Sequence, residues 1–146
     1  MSGCLLPLIG LVALLAGCQP SIAWRYWLDD STRDSARTEQ KLMFVYLRNW
    51  ASVECTDFVN GVLSEKRVVD ATADMLCVQL EYAVPADQRL AESWGITRVP
   101  AVAIVDPSGN VIEKASGPLS APDLLALIDR ARQRYAPTTQ SSARSR

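Results

Sequence analysis

Cys55 is the residue best placed to do chemistry in this chain. It stands in NWASVECTDF, residues 49–58, between an apolar run and a helical pattern, with a hydroxyl three positions earlier at Ser52. A thiolate attacks disulfides, whereas a serine alkoxide is not accessible near neutral pH without a base. The stretch is therefore either a redox site with half its sulfur chemistry replaced or a loop leading into a helix. The chain contains no histidine, which removes Ser-His-Asp triads, Cys-His pairs and histidine metal sites together. A formal net charge of −1 leaves no basic footprint for nucleic acid. No metal or other cofactor is expected.

The other cysteines take their meaning from the N-terminus. Residues 5–16, LLPLIGLVALLA, are uncharged and mostly apolar. That run is shorter than the ~20 residues of a spanning helix and suits the h-region of a signal peptide. Leu15-Ala16-Gly17-Cys18 follows and resembles a bacterial lipobox, in which the signal is cut before Cys18 and its sulfur is acylated; MSGC lacks the usual Lys or Arg. An ordinary signal peptide or a short hydrophobic anchor is the other reading. Lipidation at Cys18 implies export to a bacterial cell envelope, lipid-anchored on a periplasmic face or at the cell surface, with ~0.8 kcal/mol of anchoring per buried CH₂. Gln19, not an acid, points to the outer membrane of a two-membrane cell. Cys4 would leave with the signal, so Cys55 and Cys77 are the remaining thiols. They can pair only if their Cα atoms come within about 7 Å.

The composition, 49% apolar and 21% charged, supports one packed domain. Residues 1–17 read as signal peptide, 18–29 as a tether, 30–134 as the domain and 135–146 as a polar tail expected to be disordered. Trp24, Tyr26 and Trp27 in the tether either sit at a membrane interface or cap the domain's core. Asp30 or Ser31 can cap a helix to about Gln40. Residues 42–47 are apolar without alternation, as in a strand buried on both faces. Cys55, Phe58, Val59 and Val62 then form a helical stripe that turns Cys55 inward. Ser64 can cap a short helix with Val68 and Val69 inward. MLCVQLEY, residues 75–82, is a second strand, reached by a crossover long enough for parallel pairing. A helix with Pro85 at its start and Gly95 past its end follows. AVAIV, residues 101–105, the turn DPSGN and residues 111–115 form an antiparallel hairpin. A last helix, with its N-terminus at 120–123, turns Leu124, Leu127, Ile128 and Ala131 inward.

This order, with SWGITRVPAVAIVDPSGNVI at residues 93–112, resembles the thioredoxin fold: α/β, a central mixed four-stranded sheet flanked by helices. KLMFVYLRNW, the cysteine-bearing helix and LSEKRVVDA further resemble the exported thioredoxin-7-like branch. The resemblance implies that Val99-Pro100 is a cis peptide, a bond almost confined to X-Pro. It implies that the backbone of Val99 pairs with an extended substrate strand, that Pro100 shapes the turn, and that Trp50 belongs to the same binding face. An ordinary trans proline beginning a strand is the alternative. The family's Cys-x-x-Cys lies where a strand enters a helix. Its first cysteine is activated by the helix N-terminus and its second, half buried, resolves the mixed disulfide. Laid on that motif, Ser52-Val53-Glu54-Cys55 puts Cys55 at the resolving position and Ser52 at the nucleophile position. No shift of alignment supplies a second sulfur, since residues 49–61 hold one cysteine. Ser52 equally reads as a plain helix cap, and the inward stripe and the neighbouring Glu54 favour an unreactive Cys55. Cys77, mid-strand, is expected two or three residues from the level of the loop.

Three functions follow. The first is a membrane-anchored module that binds a peptide or protein client at the proline groove without dithiol exchange. The second is a one-cysteine thiol-disulfide oxidoreductase using Cys55. The third is a structural envelope lipoprotein.

Overall fold

The computed structural model describes residues 20–135, so the signal peptide, Cys4, Cys18 and the polar tail beyond Tyr135 lie outside it. In chain order the elements are β1 (Trp24–Arg25), α1 (Asp30–Glu39), β2 (Met43–Arg48) and α2 (Val53–Phe58), which continues into a π-helical turn (Val59–Leu63). Then come α3 (Lys66–Thr72), β3 (Leu76–Glu81), α4 (Pro85–Ser93), β4 (Ala101–Val105), β5 (Val111–Ser116) and α5 (Ala121–Tyr135). The sheet order is β1-β3-β2-β4-β5. β1, β3 and β2 are mutually parallel, and β4 runs antiparallel to both β2 and β5.

β2 is central, and its apolar run divides by alternation between the two faces. Phe44 and Tyr46 join Phe58, Leu63, Val68, Leu124 and Ile128 under α2, α3 and α5. Met43, Val45 and Leu47 join Ala36, Ala91 and Ile96 under α1 and α4. A strand buried on both faces has no polar positions to alternate, which is why its sequence reads as continuous.

Five strands form where four were expected. The additional one, β1, lies in the segment assigned to the tether. Trp24 pairs with Cys77 and Arg25 with Val78. Ile22 is buried, and the Trp24 ring packs 6.1 Å from Phe44 and 5.9 Å from Tyr46, centroid to centroid. Two residues are too few to display a period, so pattern reading missed the strand. Of the three aromatics only Trp24 caps the core; Tyr26 and Trp27 are exposed.

Three further expectations are corrected. The inward stripe after Cys55 runs through Phe58 to Leu63, with Val59 and Val62 only partly buried. The π turn inserts an extra residue, so the inward position moves from i+4 to i+5. Ser64 does not cap α3: its hydroxyl donates back to the Asn60 carbonyl, and Glu65 occupies the N-cap without a side-chain bond. α1 is capped not by Asp30 or Ser31 but by Asp29, whose carboxylate accepts the Thr32 N–H at 2.8 Å. The 106–110 turn closes on Asp106, which accepts the N–H groups of Ser108 and Asn110 at 2.9 and 2.8 Å, with Gly109 at φ +94°.

Candidate functional site

Because β2 ends at Arg48, the chain must turn before α2 starts at Val53. Asn49 shapes the turn: its side-chain oxygen accepts the Ala51 N–H at 2.9 Å, and its carbonyl accepts the Ser52 N–H at 3.0 Å. Ser52 is the N-cap in extended conformation, φ −88° and ψ 123°, and its Oγ accepts the Cys55 N–H at 3.3 Å. That hydroxyl therefore satisfies one of the free donors at the helix start. Cys55 lies beneath the turn at 3% exposure, and its Sγ accepts the Asn49 N–H at 3.4 Å. From below, the Tyr46 hydroxyl donates to the Cys55 carbonyl at 3.1 Å. Burial raises the Tyr46 phenol well above its usual range, and the neighbouring Cys55 pushes the same way.

Glu81, at the end of β3, fastens the turn from the side. Its carboxylate oxygens accept the Trp50 N–H at 3.3 and 3.2 Å and the Ala83 N–H at 3.4 Å, and Arg48 approaches at 3.6 Å. The Glu81 N–H in turn donates to Asp87 at 3.0 Å. The sequence reading passed over Arg48, Asn49 and Glu81. The available signal was two opposite charges closing two apolar strands, which parallel pairing sets side by side as Arg48↔Glu81.

Across β2 on the other side lies the second corner. Leu47 pairs with Ala101, so Asn49 and Pro100 leave the sheet at the same end. The Val99–Pro100 peptide is cis, Pro100 is buried, and its carbonyl accepts the Gly117 N–H at 2.7 Å. Gly117 has φ +91°, a value that L side chains rarely adopt. Val99 is half-buried, and among the described residues neither its N–H nor its carbonyl makes a hydrogen bond. Trp50, two residues past the end of β2, is 70% exposed.

No protein-family model and no curated protein matches the sequence. Solved structures do match in shape. A Bacteroides thetaiotaomicron protein proposed to be a disulphide-isomerase shares 21% identity at TM-score 0.67, over 77% of this chain and 93% of that one. A thioredoxin from Thermus thermophilus shares 18% at TM-score 0.65, over 75% and 86%. The reduced C-terminal domain of Neisseria meningitidis DsbD shares 20% at TM-score 0.61, over 70% and 92%.

The fold is thioredoxin-like.

Within that thioredoxin-like fold the structure brings Trp50, Ser52 and Cys55 to one corner and sets Val99 and Pro100 at the corner beside it. It keeps Cys77 away. That cysteine pairs with Phe44, four positions before Glu81 at the strand end, or about 13 Å at 3.3 Å per residue. The displacement is larger than the two or three residues expected. Both thiols are free and buried. Burial pushes the Cys77 thiol up to about 11, against a weaker lowering hydrogen bond from the Thr72 side chain. A cavity of about 210 Å³ touches Cys55, lined also by Arg48, Thr56, Val59 and Asn60. Among the described residues no cluster of His, Cys, Asp or Glu could hold a metal, and no helix is long and apolar enough to cross a membrane.

Proposed function

We propose that this chain is a thioredoxin-like docking module, exported and held at a bacterial envelope membrane by lipid on Cys18. It binds an extended peptide or protein segment at the Val99–Pro100 corner and runs no dithiol cycle of its own. The observation that carries the reading is Val99, a half-buried residue whose backbone donor and acceptor have no protein partner among the described residues. Such groups are normally bonded, and an added strand would satisfy both. Trp50, exposed past the end of the adjacent strand β2, offers a flat apolar surface for the segment's side chains. Ser52 contributes a cap, and the one sulfur of the loop lies under it.

The test is peptide display against the full chain, followed by amide-shift mapping of the enriched peptides. Extended peptides should shift Val99 and Gly117, and Trp50→Ala should weaken them by about tenfold, the loss of one well-packed aromatic anchor. Peptides that map elsewhere, or bind Trp50→Ala as tightly, overturn the docking site. Intact mass of the mature N-terminus tests the lipid on Cys18.

A second reading has one observation in its favour, the cavity that reaches Cys55. There the Cys55 thiolate would attack a small disulfide, forming a mixed disulfide and releasing the other half as a thiolate. Glutathione disulfide separates the readings: a glutathione adduct on Cys55 in the folded chain supports exchange, and an adduct only in denaturant supports docking.

A further inference from the structure

Five large apolar side chains are exposed among the described residues: Tyr26, Trp27, Trp50, Val53 and Val84. Each follows the C-terminal end of one of the three parallel strands. β1 stops at Arg25, opposite Val78, which leaves the outer edge of β3 uncovered by β1 from Gln79 onward. A cleft of about 400 Å³ opens there, lined by Tyr26, Trp27, Val84 and the first turn of α4, with Arg48, Glu81 and Asp87 as its charged groups.

The charges are unequally engaged. Arg48 lies 3.6 Å from Glu81, whose carboxylate also takes the Trp50 and Ala83 N–H groups. Asp87 uses Oδ2 to accept the Glu81 N–H at 3.0 Å and has no cationic partner among the described residues. The cleft therefore holds one uncompensated carboxylate beside two aromatic rings set edge to face, 6.3 Å apart. Ring faces attract cations, and a carboxylate within reach adds to that attraction.

We propose that this cleft receives the cationic side chain, Lys or Arg, of the segment docked at Val99. The proposal rests on the docking reading and deepens it. The cleft opens beyond the outer edge of β3, and β3, β2 and β4 lie in that order, so the cleft and the Val99 corner lie about 14 Å apart across the sheet, three strand spacings, which four residues of an extended peptide span. The specificity is then a basic residue about four positions from the one paired with Val99.

The test uses the ¹⁵N-labelled full chain and two probes of equal shape, argininamide and citrullinamide. Argininamide should shift the Trp27 indole N–H and the amides of residues 84–87 saturably, and citrullinamide should not. Trp27→Ala should weaken argininamide by about two- to fivefold, as expected for an exposed cation–π contact, and Asp87→Asn should weaken it as well. Equal response to citrullinamide, a preference for glutamate α-amide, or indifference to both substitutions overturns the cationic cleft. The second arm takes display-selected peptides and replaces each basic residue by citrulline. Loss of affinity at one position about four from the Val99-paired residue supports the proposal. Peptides that bind at Val99 with no such position overturn the proposal and leave docking standing. A cleft that takes argininamide while no peptide shifts Val99 removes the docking reading instead.

Discussion

Replacing Ser52 by cysteine would place a second sulfur at the N-cap, three residues from Cys55, and the structure sets the size of the effect. The Ser52 Oγ accepts the Cys55 N–H at 3.3 Å, and losing such a cap costs about 1 kcal/mol. The reduced Ser52→Cys variant should therefore be less stable than the parent by about that amount. Closing a four-residue loop removes about 1.9 kcal/mol of chain entropy from the unfolded state. The oxidised variant should then exceed the parent by about 1 kcal/mol, and each kcal/mol moves the melting temperature by about 4 °C for a domain of this size. The assay is thermal unfolding with and without dithiothreitol, with peptide mapping of the cross-link and insulin reduction as the activity readout. The expected order of stability is oxidised variant, parent, reduced variant, and only the variant should respond to reductant through this loop. Ser52→Cys combined with Cys55→Ser supplies the control for Cys77 and the N-terminal cysteines. If no 52–55 cross-link forms under oxidising conditions, the register of the motif on this corner is refuted. If the reduced variant matches the parent, the capping role of Ser52 is refuted.

Trp24→Ala should destabilise the fold by about 2 kcal/mol, below the ~3–5 of a fully buried tryptophan, because Trp24 packs on Phe44 and Tyr46; an unchanged urea midpoint would return β1 to the tether. Tyr46→Phe should cost about 1 kcal/mol, since the Cys55 carbonyl loses the phenol but keeps a helical N–H; chemical denaturation reads this directly. The Cys77 thiol is raised from 9.0 to about 11 in the folded chain, so the unfolded chain releases that proton first and stability falls as pH rises through this window. Its contribution is intact below about pH 8.5, and the parent should lose about 2 kcal/mol more than Cys77→Ala by about pH 10.5. Parallel stability curves for the two proteins between those limits would contradict a buried, proton-retaining Cys77.

Local chemistry in the sequence determined much of this protein. The unbroken apolar run of β2 required a strand covered on both faces, and Pro85, Gly95 and the DPSGN turn punctuated the chain where the structure does. Val-Pro before an apolar strand, with a serine and a cysteine at the helix start, marked the two corners of the candidate site. These signals survive because periodicity, caps and turns are properties of neighbouring residues. The tertiary structure decided what depends on distant partners. β1 exists because Trp24 finds Phe44 and Tyr46, and two residues carry no period of their own. The π turn moved the buried position from Val62 to Leu63. Glu81 reaches Trp50 from thirty-one residues away, and Cys77 is kept from Cys55 by the parallel register, which no spacing along the chain reveals. The aromatic cleft is likewise a product of where β1 stops against β3. Packing across the sheet, acting at long sequence separation, fixes which of the locally possible groups meet.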